Sequence, residues 1–172
     1  DELIACIHTD EFDVALMDIS MPGVTGLEAL KHVRMIKPQL PVLILTAYPE
    51  SQYAERAIRL GAMGYINKSV ASEELVEAIR TVRTGKKFIT KAVAMILAEK
   101  DSGADEPHTR LSDREYEVMR LIAKGASPKE IGEALSISPK TVNSMRDRIL
   151  EKMNLTTNAE IIRYAIQKKL VE

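Results

Sequence analysis

The 172 residues contain no tryptophan, two phenylalanines and a single cysteine, and each shortage excludes something. With aromatics at 4%, there are too few flat side chains to build the stacking platforms on which single-stranded nucleic acids are held. Cys6 is alone and cannot close an internal disulfide, which fits a reducing compartment. No apolar run approaches the roughly 18 residues that a membrane helix needs, and Asp1-Glu2-Leu3 does not open like a signal peptide. The expectation is a soluble, cytoplasmic protein with no membrane partner. A net charge of -1 also excludes a chain that is basic throughout, so any nucleic-acid contact must come from a local cluster of cations.

What is present falls into two patterns. From residue 12 to about 85, short apolar runs alternate with helical periodicity. Asp13-Val14-Ala15-Leu16-Met17-Asp18, Pro41-Val42-Leu43-Ile44-Leu45-Thr46 and Gly64-Tyr65-Ile66-Asn67-Lys68 read as strands of a parallel sheet covered on both faces. Between them, Leu27, Leu30, Val33, Arg34 and Ile36 mark a helix opened by a Thr25/Glu28 capping box. Residues 50–60 and 72–84 make two more helices, stopped by Gly61 and Gly85. Strand and helix in alternation are the grammar of an α/β domain.

A further helix over residues 90–100 leads to Asp101-Ser102-Gly103-Ala104-Asp105-Glu106-Pro107, a polar stretch that reads as linker. Beyond it everything is helical. Ser112/Glu115, Ser127/Glu130 and Thr157/Glu160 have capping-box spacing, and Ser138-Pro139 puts proline at a first helical position. Four short helices in this space make a compact bundle.

Asp18 closes the first strand, Thr46 the second and Lys68 the third. In open α/β sheets chemistry collects at the carboxyl ends of strands. A carboxylate there can attack a phosphoryl group, while a hydroxyl and a cation serve the charge that develops on its oxygens. Any one of these residues alone is more simply a turn residue. All three together, in this order with helix-sized spacers, reverse that reading. A phosphatase of the haloacid-dehalogenase-like kind would need a second Asp two residues on, where this chain has Ser20, so an enzyme is not expected.

Residues 12–85 resemble the later two-thirds of a receiver domain of flavodoxin-like α/β fold, through Asp18-x-x-Met21-Pro22-Gly23, Leu45-Thr46-Ala47 and Gly64-Tyr65-Ile66-Asn67-Lys68. The resemblance implies that Asp18 is the phosphoacceptor, Thr46 the switch hydroxyl, Tyr65 its coupled aromatic and Lys68 the phosphate-contacting lysine. It also implies a Mg²⁺ ion on Asp18 and the Ser20 carbonyl, completed by an acidic pair after the first strand of a usual receiver. Counterparts of that first strand, the first helix and the second strand are not among these residues, so the receiver reads as N-terminally incomplete. Neither Asp1-Glu2 nor Asp10-Glu11 is placed to replace the pair. Mg²⁺ is therefore expected in a complete receiver and not in this chain, with autophosphorylation poor or absent.

Residues 128–135 and 139–153 form two helices across Ser136-Ile137-Ser138, a helix-turn-helix pattern that sends the second helix into a major groove. Val142, Met145, Ile149 and Met153 give that helix a core-facing stripe. Over residues 138–152, Lys140, Arg146, Arg148 and Lys152 outnumber Asp147 and Glu151, a local positive patch suited to phosphate contacts. Residues 111–172 resemble a LuxR-type output domain, through Leu111-Ser112-x-Arg114-Glu115, Lys129-Glu130-Ile131-Gly132 and Ile137-Ser138-x-Lys140-Thr141-Val142-Asn143. By that resemblance Asn143, Ser144 and Asp147 face bases, while Lys140, Thr141, Arg146 and Arg148 meet phosphates. Asp147 departs from the basic residue common in relatives: an acid could accept from a cytosine amino group but would repel phosphate.

The expected organisation is a partial receiver over residues 1–85, a linker with a helix over 86–110, and an all-α four-helix DNA-binding domain over 111–172. That order marks the NarL/FixJ type of two-component response regulator, a transcription regulator gated by receiver phosphorylation. A phosphorylation-independent dimeric regulator is the alternative. The implied partners are a sensor histidine kinase, double-stranded DNA with inverted or tandem half-sites, and a second copy on that DNA. In the last helix, Ile162, Ala165 and Ile166 are expected to face the bundle, leaving Ile161, Tyr164 and Lys168 as an exposed edge, with Ile161 and Tyr164 as the dimer contact.

Overall fold

Each strand and helix start read from the sequence recurs in the computed structural model, which describes residues 12–21, 24–100 and 106–171. Cys6, the Asp1-Glu2 and Asp10-Glu11 pairs, Pro22-Gly23 and residues 101–105 lie outside these. The chain divides into two compact units on either side of the Ser102–Gly103 junction.

In the first unit, β1 (Ala15–Met17), β2 (Val42–Thr46) and β3 (Gly64–Asn67) pair in parallel in the order β1-β2-β3. Every residue of β2 except half-buried Leu45 is buried, as the apolar run demands of a strand covered on both faces. Among the described residues four helices accompany the strands: α1 (Gly26–Ile36), α2 (Glu50–Arg59), α3 (Ser72–Arg83) and α4 (Lys91–Lys100). On one face, Ala78 and Val82 of α3 pack with Leu43 and Ile66, and Val14, Leu75, Ile79 and Phe88 close the edges of that cluster. The Thr25/Glu28 capping box is formed in both directions. Arg34 ties the end of α1 to its surroundings by donating to the carbonyls of Pro38, Leu40 and Gly61.

The second unit holds a short 3-10 turn (Pro107–Arg110) and four α-helices: α5 (Asp113–Ala123), α6 (Pro128–Leu135), α7 (Pro139–Met153) and α8 (Asn158–Gln167). The Ser112/Glu115, Ser127/Glu130 and Thr157/Glu160 capping boxes all form, and Ser138 caps α7 with Pro139 in its first turn. Each cap satisfies backbone donors that would otherwise be left bare, worth typically about 1 kcal/mol.

Two expectations need correction here. The segment 86–110 is not one linker. Helix α4 packs against α2 within the first unit. Residues 107–110, by contrast, belong to the second unit: His108 is only 3% exposed, and its Nδ1 lies 2.8 Å from the Tyr164 hydroxyl. Glu106 joins the same cluster, accepting from Lys168 at 2.6 Å and lying 3.4 Å from His108. The second correction is the phase of α8. Ile161 is fully buried and Tyr164 half-buried on His108, while Ile166 is 58% exposed. Ala165 is buried as expected. With apolar residues on two adjacent stripes, the helix turned the other one inward.

The caps carry a pH signature. Burial pushes the Glu115 carboxyl up, but hydrogen bonds from Lys152 and Ser112 and the Lys152 charge outweigh it and hold the group below its ordinary range. Ser127 holds Glu130 down, and the Thr156 and Thr157 groups hold Glu160 down. Carboxyls lowered in the folded state stabilise it above their unfolded pKa, about 4–5, and that stability drains away as pH falls through the lower folded values. Melting of the second unit should therefore be flat between about pH 7 and pH 5 and fall below that. Thermal unfolding followed by circular dichroism checks this, and Glu115→Gln should shallow the acid limb. An unchanged limb would remove Glu115 from the explanation.

Candidate phosphoacceptor site and nucleic-acid interface

Because the strands are parallel and in register, their carboxyl ends bring the three predicted residues together. The Lys68 ammonium donates to Asp18 Oδ2 at 2.6 Å, and the Ser20 N–H donates to Asp18 Oδ1 at 3.0 Å. Burial alone would raise the Asp18 carboxyl. The bonds from Lys68, from the Ser20 backbone and from the Thr46 hydroxyl, with the Lys68 charge, win and hold it below the usual carboxylate range. Asp18 is thus an ionised carboxylate at neutral pH, half-buried at the mouth of the sheet.

Thr46 is fully buried, and its hydroxyl also accepts weakly from the Tyr48 N–H at 3.5 Å. Tyr65 is fully buried too, and its hydroxyl donates to the Tyr48 carbonyl at 2.9 Å and more distantly to that of Pro49. The loop that follows Thr46 is therefore held by the side chain of Tyr65 from the neighbouring strand. Asn67 braces the same loop, its amide donating to the carbonyls of Ala47 and Tyr48 at 3.3 and 3.2 Å. Sequence reasoning passed over Asn67, although it stands directly before Lys68. Its alternation with Tyr65 along β3 was the available signal.

For Mg²⁺ the test is the donor set. Among the described residues no group of three His, Cys, Asp or Glu side chains could hold a metal ion. Asp18 also has both oxygens engaged. The described residues do not make a Mg²⁺ site by themselves.

In the second unit the turn between α6 and α7 is set by close backbone approach. A methyl group on Gly132 would lie 2.6 Å from the Ile137 carbonyl oxygen. Ser136 takes the left-handed conformation that ends α6, and Ser138 Oγ accepts from the Thr141 N–H at 3.0 Å to begin α7. Val142, Ile149 and Met153 are buried and Met145 is half-buried, so the expected stripe faces the core. Lys140, Thr141, Asn143, Ser144, Asp147 and Arg148 are all exposed. Arg146, expected at a phosphate, is half-buried and engaged on two sides: Nε donates to Asn158 Oδ1 at 2.6 Å and NH1 to Asp147 Oδ1 at 2.9 Å. Lys152 is likewise turned to the protein, bonded to Glu115 at 2.6 Å. The local positive patch is therefore carried by Lys140 and Arg148, which are exposed and form no ion pair with the described residues.

Comparisons with known proteins agree with both halves. Residues 1–80 match the family described as response regulator receiver domain, and residues 109–165 match bacterial regulatory proteins of the luxR family. The response regulator UvrY of Escherichia coli K12 is 35% identical over 173 residues, covering 99% of this chain and 79% of that protein. The oxygen regulatory protein NreC of Staphylococcus carnosus is 39% identical over 169 residues, covering 93% of this chain and 78% of the other. Among solved structures, RcsB from Salmonella enterica serovar Typhimurium, bound to promoter P1flhDC in the presence of phosphomimetic BeF3-, matches with a TM-score of 0.53 at 28% identity. That match covers 95% of this chain and 79% of RcsB. A receiver-type parallel sheet with its carboxylate, hydroxyl and ammonium at the strand ends, followed by a capped helix-turn-helix, thus has the relatives its geometry calls for: the chain belongs to the NarL/FixJ type of two-component response regulators, transcription regulators with a LuxR-type DNA-binding domain.

Proposed function

We propose that Asp18 accepts a phosphoryl group and that its phosphorylation gates DNA binding by α7. The observation that carries this is the convergence of Asp18, Thr46 and Lys68 at the ends of three adjacent parallel strands. In the transfer, an Asp18 oxygen forms the new O–P bond while the bond from phosphorus to the donor's leaving group breaks. Lys68 supplies a point charge to the phosphoryl oxygens, and the Thr46 hydroxyl is within reach to donate to one of them. Drawing Thr46 toward the phosphoryl group pulls on the loop after β2, which Tyr65 and Asn67 hold from β3. That loop is the two-state element that phosphate biases.

The phosphoryl donor in the cell is a sensor histidine kinase, and the protein works in the cytoplasm. On DNA, α7 enters the major groove with Asn143, Ser144 and Asp147 toward the bases, and with Lys140, Thr141 and Arg148 at phosphates. Two copies bind inverted or tandem half-sites, with the half-buried Tyr164 and exposed Ile166 of α8 nearest the contact. The relative RcsB has been solved bound to a promoter in the presence of the phosphomimetic BeF3-, the pairing of receiver and DNA states that this reading calls for. The test is DNA affinity with and without acetyl phosphate, on a receiver that carries an acidic pair. Phosphate should tighten binding by roughly 5- to 150-fold, the usual span of an allosteric coupling. Equal affinities would instead support a regulator that binds DNA as a dimer without phosphate.

A further inference from the structure

Along α7, Ser144 and Asp147 lie three residues apart and are both exposed, opposite buried Val142, Ile149 and Met153. They form the outermost line of the helix, the line that meets base edges when such a helix lies in a major groove. An acid on that line is unfavourable beside phosphates, and the structure shows what offsets it. Asp147 is paired with Arg146, and Arg146 is fixed from behind by Asn158, the first residue of α8. The bracket crosses from one helix to another, so Asp147 is held relative to both.

We propose that Asp147 reads the amino group of a cytosine, and that Arg146 is a positioning residue that orients and neutralises it and is not a phosphate contact. An ionised carboxylate only accepts hydrogen bonds, through about four lone-pair sites, of which Arg146 occupies one. The major groove offers amino donors on cytosine and adenine only. Adenine flanks its donor with its own N7 acceptor and with thymine O4, both repelling a carboxylate, whereas cytosine has a single acceptor neighbour, the O6 of its paired guanine. Cytosine is the better partner. This rests on the reading of α7 as the helix that enters the groove.

The experiment selects binding sites for the full chain from a random duplex library, then measures affinity for the selected site and its single-base variants. One position per half-site should demand cytosine, with roughly 5- to 150-fold discrimination. Asp147→Asn, at an exposed position, should move that preference to adenine and leave the other positions alone, since an asparagine amide pairs with adenine N6 and N7. Asp147→Ala should erase the preference without weakening binding to other sequences. Arg146→Ala should weaken binding to every sequence with an unchanged salt slope, and the loss should vanish in the Asp147→Ala background. Two results would overturn the proposal: an unaltered base preference in Asp147→Asn, or an Arg146→Ala loss that persists without Asp147 and lowers the salt slope by about one ion, the mark of a phosphate contact. If the wild-type chain selects no sequence at all, the reading of α7 falls as well.

Discussion

Replacing Asp18 with asparagine is expected to abolish phosphoryl labelling completely while moving the melting temperature little. The loss is complete because an amide has no anionic oxygen to attack phosphorus. The change in stability is small because the Asp18–Lys68 pair is partly solvated, with side chains 25% and 50% exposed. Pairs of that kind contribute roughly 0–1 kcal/mol. Labelling with acetyl phosphate on a receiver that carries an acidic pair, alongside thermal melting, separates the two effects. Acid-labile phosphate retained on the asparagine variant would refute Asp18 as the acceptor. Full loss of labelling together with a collapsed melting curve would mean that the residue is mainly structural.

The second large effect lies one turn of chain away. Gly26 begins α1, and its N–H donates to the Ile19 carbonyl at 3.1 Å. A methyl group there would sit 2.1 Å from the Asp18 carbonyl oxygen and 2.7 Å from the Ile19 Cα. Both are backbone atoms, so no side chain can swing aside. On helix propensity alone, Gly26→Ala should stabilise by up to about 1 kcal/mol. The steric clash has the opposite sign and a larger size, about 1–3 kcal/mol or more for forced overpacking. The net expectation is destabilisation, with weaker phosphoryl labelling because the backbone of Asp18 itself must move. Denaturant unfolding decides it: a midpoint at or above wild type would show that α1 shifts without cost.

Most of the local architecture was legible because it is written locally. A capping box is two side chains three residues apart, and the four read from the sequence are formed in the structure. The strands announced themselves as apolar runs, and their parallel register followed from the helices between them. Asp18, Thr46 and Lys68 could be grouped from sequence because parallel strands put all their carboxyl ends on one side. What escaped were contacts between distant residues. Nothing near His108 signals that it will be buried against Tyr164, 56 residues on. Composition alone made its surroundings look like linker. The Arg146–Asn158 bond is similar, since Asn158 reads only as a first-turn residue of α8. The phase of α8 was undetermined for a different reason: Ile161, Ile162, Ala165 and Ile166 offer two apolar stripes of similar strength, and only the shape of the bundle chooses between them.

The docked turn of Pro107–Arg110 has a mechanical consequence. It packs against α7 as well as binding α8 through His108 and Tyr164. Glu106 is paired with Lys168 and His108, so the chain is seated on the bundle before α5 begins. The turn reaches α5 through the His108–Tyr116 ring contact, α7 by packing and α8 through Tyr164, so it ties three helices together. The turn is thus a clasp, a common seat for helices that stand far apart in the sequence.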